Sequence, residues 1–450
     1  MDVLDKNHKK IEFEPRTSNF ALRKGLWITG LLFFIALVVE FLYINSYNVS
    51  YFISPDGLLY SNIAENFLKG NGLVNTAGFV QENGVVREIP RTRDYVVGPI
   101  YPLLLAMVYG IFGFKSYNMV VLLHAFFSAA SAVLAYKTGE LLFGKRYALI
   151  PYGLTLGYPL FAFWGMYVLT ETTYVFTITL FLYLLALYAK EAKQPKLRTL
   201  LILGLAIGIS NLVRPFLLLF FPILGLWIWW MQRGRLKIAL RDFTIIVVMT
   251  ILVMSPWWIR NGIKYQQFIP VSNYGSYEFY LGNNPLTVTD NFFYFAQPSY
   301  DPEVKARIEK LPLLEQEKEY KKLGMSYILQ HPVQFIQRTL TKEKNLFWQP
   351  ITPVFGESYK MQGYLMDKWY LLLGLVGIVL SLFQLRNYSF LLLFTLYYSF
   401  TVSMITIVSG GRYRLPVMPA MVLFASLAVV MALKGIGKLA KVTPRSSGRS

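Results

Sequence analysis

The chain has 450 residues, 55% of them hydrophobic and only 15% charged, with a net charge of +19. The apolar residues gather into runs as long as a bilayer is thick, which excludes an ordinary soluble domain and indicates a polytopic membrane protein. The positive excess sits in short loops and tails, where it orients spans, so it does not argue for a nucleic-acid partner. Cysteine is absent, which excludes disulfides and thiolate chemistry.

Residues 1–25 read as a cytoplasmic tail, because Lys6, Lys9, Lys10, Arg16, Arg23 and Lys24 precede the first apolar run. That run, Leu26 to Ile44, is long for a signal peptide and has no small-residue cleavage site, so it reads as an anchor. It opens an N-terminal transmembrane module over 26–259, whose first outer loop is 46–97. Within the loop, Leu59, Ile63 and Phe67, with Leu58, Ala64 and Leu68, recur at helical spacing from Asp56 to Lys69. They predict an amphipathic helix too short to span, ended by Gly70-Asn71-Gly72. Asp56 can be the cap of that helix or the catalytic base of an enzyme working at the membrane surface.

Gly98 to Gly113 is short for a span. Lys145 and Arg146 must be cytoplasmic and Met119 to Phe143 crosses once, so the short run is expected outside, as a juxtamembrane or re-entrant helix. Further spans follow at Tyr147 to Val168, Glu171 to Tyr188, Leu200 to Val213, Phe216 to Met231 and Phe243 to Trp258. Arg214-Pro215 falls at an outer turn. Residues 260–368 are polar and aromatic and form one large extracytoplasmic domain, with helices expected at Pro302 to Lys310, Leu314 to Gln330 and Pro332 to Phe347. C-terminal spans occupy 369–434, near Trp369 to Leu385, Tyr388 to Val408 and Leu415 to Ala432, before a basic cytoplasmic tail, 435–450.

Asp56, Arg93, Asp94, Glu171, Arg214, Arg260, Arg412 and Arg414 all map to the outer boundary. Ionisable groups at that depth are costly unless paired or hydrated, so the set suggests a charged cavity there; the alternative is loop charges resting in water. Glu171 begins a span, where the helix dipole favours it. Arg214 must snorkel, pair or bind an anion, and Arg412-Tyr413-Arg414 could equally anchor the interface. His8, His124 and His331 are scattered, so no histidine metal site is indicated, although carboxylates and water could hold a divalent cation. Gly282-Asn283-Asn284-Pro285 is a turn and a candidate ligand loop. No Gly-rich phosphate loop or dinucleotide fingerprint is present, which favours a donor delivered by the membrane.

Several short motifs then appear in a meaningful order between the spans. They are Ser54-Pro55-Asp56 with Tyr60 and Ile63-Ala64; Pro99-Ile100-Tyr101-Pro102 with Phe112-Gly113; Leu142-Phe143-Gly144; and Leu169-Thr170-Glu171. After these come Gly208 with Arg214-Pro215; Pro256-Trp257 with Arg260-Asn261; Gly282-Asn283-Asn284-Pro285; and Arg412-Tyr413 with Pro416 and Pro419. Together they resemble the GT-C membrane glycosyltransferases, in the protein O-mannosyltransferase-like and lipid A aminoarabinose transferase-like branch, over nearly the whole chain.

The fold expected is an all-α polytopic membrane protein, GT-C-like, of about ten transmembrane helices. It should carry amphipathic juxtamembrane helices and a mixed, mainly helical outer loop domain. The resemblance implies transfer of a hexosyl or pentosyl group, with inversion, from an undecaprenyl- or dolichyl-phosphate donor. The acceptor would be a hydroxyl of a glycan, lipid or protein outside the plasma membrane. Asp56 matches the family's first-loop catalytic aspartate, and Glu171 is the second candidate carboxylate. Arg214, Arg412, Arg260 and Arg93 would hold the donor phosphate; Tyr60, Tyr101, Asn283 and Asn284 would contact acceptor or sugar. Some relatives carry a second acid directly after the aspartate, where this chain has Gly57. A transporter or flippase of a lipid-linked sugar is the main alternative; a receptor or scaffold built on the outer domain is a third.

Overall fold

In a bilayer an apolar run has one low-energy backbone, the helix, because every N–H and C=O must find its partner within the segment. The computed structural model describes residues 19–46, 52–82, 85–89, 96–287, 300–348, 357–406 and 411–442. Among the described residues, six helices are long and apolar enough to cross a membrane, and one of these stretches, Met366–Ile405, holds two consecutive helices. Shorter apolar helices add to them, and the chain is a multi-pass helical membrane protein.

The first helix, α1 (Asn19–Ser46), is followed by α2 (Pro55–Leu68), a hairpin of β1 (Gly78–Glu82) and β2 (Val85–Ile89), and α3 (Ile100–Phe112). The hairpin is a small departure from an all-helical chain. Helices α2 and α3 pack on each other through Ala64, Tyr101, Leu105 and Tyr109, and Ser61 Oγ meets Tyr109 OH at 2.9 Å. Then come α4 (Tyr117–Phe143), α5 (Leu149–Leu156) and α6 (Pro159–Gly165). The single span expected over Tyr147 to Val168 is therefore two short helices. Pro159 has no N–H to continue the ladder, and Tyr158 before it sits at φ −83°, ψ 104°, the extended region that a following proline favours.

The next helices are α7 (Glu171–Glu191), α8 (Leu197–Val213), α9 (Phe221–Met231) after a 3-10 segment at Pro215–Phe220, and α10 (Leu236–Tyr265). Helix α10 carries Pro256 within it and stops only at Gln266, a left-handed residue at φ 52°. It thus runs past Arg260, where the large loop was expected to begin. The loop domain holds α11 (Gly275–Gly282), α12 (Pro302–Ile308), α13 (Leu313–Gln330) and α14 (Pro332–Trp348) around Tyr277, Tyr280, Ile308 and Tyr320. The chain closes with α15 (Glu357–Ser381), which starts well before Trp369, then α16 (Leu385–Ile405), the single turn α17 (Gly411–Arg414) and α18 (Met418–Val442).

Helix α18 is the axis of the bundle: 83% of its apolar window is buried, against 11% for α1, which lies at the periphery. It packs tightly on α15, where a Cβ on Gly377 would come within 1.9 Å of the Phe424 carbonyl oxygen, so only glycine permits that approach. Buried polar bonds seat the loop domain on the bundle. Asn283 Nδ2 donates to the Met404 carbonyl at 2.9 Å, and Arg414 donates to the carbonyls of Leu346 and Phe347 at 2.9 Å.

Candidate active site

The site begins where α2 begins. Ser54 caps this helix: its Oγ accepts from the Gly57 N–H at 3.2 Å, and Pro55 fills the first helical position, where no N–H is needed. Asp56 is therefore not the cap. Its side chain is 51% exposed and turns away from its own backbone toward another part of the chain. A short parallel bridge fixes this segment. Phe52 N donates to the Met166 carbonyl at 2.9 Å, and Val168 N donates to the Phe52 carbonyl at 3.1 Å. The bridge sets the start of α2 beside the start of α7. Gly57 faces the same strand of chain, and a Cβ there would lie 2.7 Å from the Val168 carbonyl oxygen. A second acidic residue after Asp56 would collide with that backbone.

Four charged side chains then form one line. Arg412 from α17 places Nη1 and Nη2 3.2 and 3.1 Å from Asp56 Oδ2, and its Nε donates to Glu171 Oε1. Arg214, at the end of α8, reaches the same Glu171 oxygen with Nη2 at 2.5 Å, while its Nε donates to Thr170 Oγ1 at 2.7 Å. Both carboxylates stand in the first turn of a helix, where the dipole favours negative charge. Their environments differ. Glu171 is fully buried and bonded through Oε1 to two guanidinium groups, whereas Asp56 is half-exposed.

The other sequence candidates divide. Tyr60 borders the charged line, and burial together with the Asp56 carboxylate pushes its hydroxyl up to about 12, so it acts as a neutral donor. Tyr101 stands behind it, with ring centroids 5.2 Å apart, and its OH meets His124 Nε2 at 3.3 Å. The side-chain amides of Asn283 and Asn284 bond the backbone. Asn283 Nδ2 donates to the carbonyls of Phe279 and Met404 at 3.0 and 2.9 Å, and Asn284 Nδ2 donates to the Tyr280 carbonyl at 2.8 Å. Arg260 does not join the line either. It bonds the carbonyl of Leu73 and Asn261 Oδ1, and its guanidinium lies 4.7 Å over the Trp257 ring. It borders an open groove of about 640 Å³ together with Ile259, Ile263 and Lys264. Arg93 and Asp94 lie outside the described residues.

Arg414 is neither an interface anchor nor a site residue. It is buried and paired with Asp367 at 2.5 Å, which also accepts from Tyr158 OH at 2.8 Å, so it pins α17 and with it Arg412. The sequence reading missed Glu278 of α11. It is partly buried, hydrogen-bonded by Tyr274, and within electrostatic reach of Asp56 and Arg412; burial first, then the Asp56 charge, raises its carboxyl to about 7. Its only signal in the sequence is a lone acid inside the aromatic run Tyr274 to Tyr280.

A divalent cation does not fit this donor set. Among the described residues no three acidic or histidine side chains converge, Glu171 is already neutralised by two arginines, and the Gly57 position has no room for a second acid.

Residues 96–259 match the sequence profile of the dolichyl-phosphate-mannose-protein mannosyltransferase family. The chain also superposes on the archaeal oligosaccharyltransferase AglB from Archaeoglobus fulgidus, in complex with an inhibitory peptide and a dolichol-phosphate. The TM-score is 0.56 at 13% identity over 95% of this chain and 53% of that one. The chain shares the AglB fold. A second AglB structure, tethered to an acceptor peptide, gives a TM-score of 0.55 at 12% identity, over 94% of this chain and 52% of that one. The chain thus spans about half the length of the oligosaccharyltransferases it matches. ArnT from Cupriavidus metallidurans bound to undecaprenyl phosphate is also similar, with a TM-score of 0.43 at 15% identity over 93% of this chain and 81% of that one. Among curated protein sequences, none matches this chain significantly.

Proposed function

We propose that the chain is a membrane glycosyltransferase that moves a hexosyl or pentosyl group from a polyprenyl-phosphate donor to an acceptor hydroxyl, with inversion, on the extracytoplasmic face. The reading rests on one observation above all: a half-exposed carboxylate, Asp56, held by Arg412, whose other edge is fixed by the buried Glu171. A base needs access to the proton it takes, and only Asp56 of the two carboxylates has it.

In the proposed reaction the acceptor oxygen forms a bond to the anomeric carbon while the bond from that carbon to the phosphate oxygen breaks. The acceptor proton passes to Asp56, and the leaving polyprenyl phosphate keeps the electron pair. As Asp56 becomes neutral it loses its hold on Arg412. That guanidinium is then released toward the phosphate at the moment negative charge builds there. Arg214 supplies the second positive charge, and Tyr60 a hydroxyl for the sugar or acceptor. Glu171 holds both arginines and takes no proton. Arg260, with the apolar wall of Ile259 and Ile263, offers a path for the lipid chain. The termini would lie in the cytoplasm of a cell with its plasma membrane as the site of action. AglB is described with dolichol-phosphate, which supports a lipid-phosphate carrier of this general kind.

The test is donor consumption by purified protein supplied with radiolabelled polyprenyl-phosphate sugars and membrane-extract acceptors. Transfer with release of polyprenyl phosphate supports the enzyme, and movement of intact donor across vesicles without release supports a flippase. Asp56→Asn should lower turnover about 10²–10⁴-fold, the contribution typical of one positioned base, while leaving donor binding intact. Near-full transfer by that variant removes Asp56 from the chemistry.

A further inference from the structure

Behind Glu171, away from Asp56, the bundle encloses a small cavity between α4, α6 and α7. Its polar lining is Ser128, Ser131, Trp164, Glu171 and Thr172. Three atoms of this lining are buried without a hydrogen-bond partner among the described residues: Trp164 Nε1, Thr172 Oγ1 and Glu171 Oε2. Both arginines use the other oxygen of Glu171, so Oε2 is left to the cavity. Ser128 Oγ gives its proton to Glu40 Oε1 of α1, at 2.9 Å, and retains its lone pairs. The lining therefore presents two donors, the Trp164 indole and the Thr172 hydroxyl, and the acceptors Glu171 Oε2 and Ser128 Oγ, beside Ser131 Oγ, whose proton goes to the Phe127 carbonyl at 2.8 Å.

Two donors and two acceptors are what one water molecule satisfies. The space open to the centre of a water-sized sphere is about 10 Å³, enough for one such molecule. Phe161 and Val175 close the remaining wall, so no larger polar ligand fits.

We infer that this cavity binds a single ordered water that links Glu40 to Glu171 inside the bundle. The water accepts from Trp164 Nε1 and Thr172 Oγ1 and donates to Glu171 Oε2 and Ser128 Oγ. It fixes the plane of the Glu171 carboxylate, so that Oε1 stays turned toward Arg214 and Arg412. It also joins the peripheral α1, through Glu40 and Ser128, to the charged line. The link holds whatever reaction the site performs.

Thr172→Val gives a test by sign. If the cavity is dry, valine removes an orphaned hydroxyl at nearly constant shape, and the melting temperature stays level or rises. If the water is bound, valine removes one of its donors, and the melting temperature falls by a few degrees. A fall supports the inference; a level or higher value overturns it. Should the variant fail to fold, wild-type protein in nanodiscs decides. It is mixed rapidly into water enriched in heavy oxygen and pulsed with X-rays, and oxidation is read by mass spectrometry. Trp164 should be oxidised with the light oxygen of the trapped water. Trp227, 3% exposed and bonded to Ser389, serves as the dry control and should stay unmodified. A Trp164 left unmodified, or carrying only the bulk isotope, overturns the inference.

Discussion

Arg412 meets Asp56 edge-on: both of its terminal nitrogens address the same carboxylate oxygen, Oδ2, at 3.1 and 3.2 Å. Its third nitrogen, Nε, is committed to Glu171. A lysine would carry the charge without the fork and could not hold both carboxylates in this geometry. Arg412→Lys should fold normally and lose about a hundredfold in turnover at saturating donor, the scale of one displaced transition-state donor. A rate close to wild type would mean that position 412 contributes charge alone.

Glu171→Gln should act differently from Asp56→Asn. Glu171 is fully buried between Arg214 and Arg412, so its neutralisation leaves guanidinium charge unpaired inside the bundle. Such half-broken pairs cost about 3–5 kcal/mol. Unfolding in detergent should show that loss for Glu171→Gln and no comparable loss for Asp56→Asn. If instead Glu171→Gln kept full stability and lost only activity, Glu171 rather than Asp56 would be the better candidate base.

Gly57→Ala tests how the first loop is seated. The added Cβ would lie 2.7 Å from the Val168 carbonyl, a backbone atom that cannot swing aside. The start of α2 must shift, and Asp56 with it. Turnover should drop although no charge has changed, and Gly57→Asp should do worse rather than create a metal-binding pair. Binding of a divalent cation gained by Gly57→Asp, measured by calorimetry, would contradict this.

Glu278 predicts a pH dependence of stability. Its carboxyl is raised from 4.5 to about 7 in the folded protein, chiefly by burial. Across that window the folded chain keeps a proton that the unfolded chain has released. Stability is thus fullest at the acid end, declines as pH rises through the window, and has lost this contribution above about 7. Glu278→Gln should flatten that decline in melting temperature. An unchanged slope would assign the dependence to another group.

Asn283→Ala should separate structure from binding. Its amide ties α11 to the end of α16 through the Met404 carbonyl at 2.9 Å. The variant should melt earlier and keep its KM for the donor; a selective rise in KM would restore Asn283 as a ligand contact.

Much of the architecture was legible because bilayer helices obey length and hydropathy. The loop-domain helices were found at Pro302–Ile308, Leu313–Gln330 and Pro332–Trp348, within a few residues of their expected ranges, since proline and histidine-proline boundaries mark them locally. Of the eight ionisable groups mapped to the outer boundary, Asp56, Glu171, Arg214 and Arg412 converge, as charges at that depth must find each other or water, whereas Arg260 and Arg414 pair elsewhere and Arg93 and Asp94 lie outside the described residues. What escaped was long-range pairing. Nothing local in Arg414 distinguishes it from Arg412 two residues earlier, yet one is locked to Asp367 and the other faces Asp56. Nor could spacing show that Ser54, not Asp56, caps α2, or that the amides of Asn283 and Asn284 are consumed by carbonyls.

The Phe52–Tyr167 bridge imposes a condition on chain length that no residue identity reveals. Only three residues separate Phe52, which is tied to the Met166–Val168 segment, from Asp56, which must face Arg412. One residue inserted in the extended segment before Pro55 would lengthen this tether by about 3.3 Å and displace the carboxylate from Arg412. Every member of the charged line would survive in the sequence, and the line itself would be broken. Homologous chains that keep these residues but differ in that interval would need a different bridge, or would have lost the alignment on which the site depends.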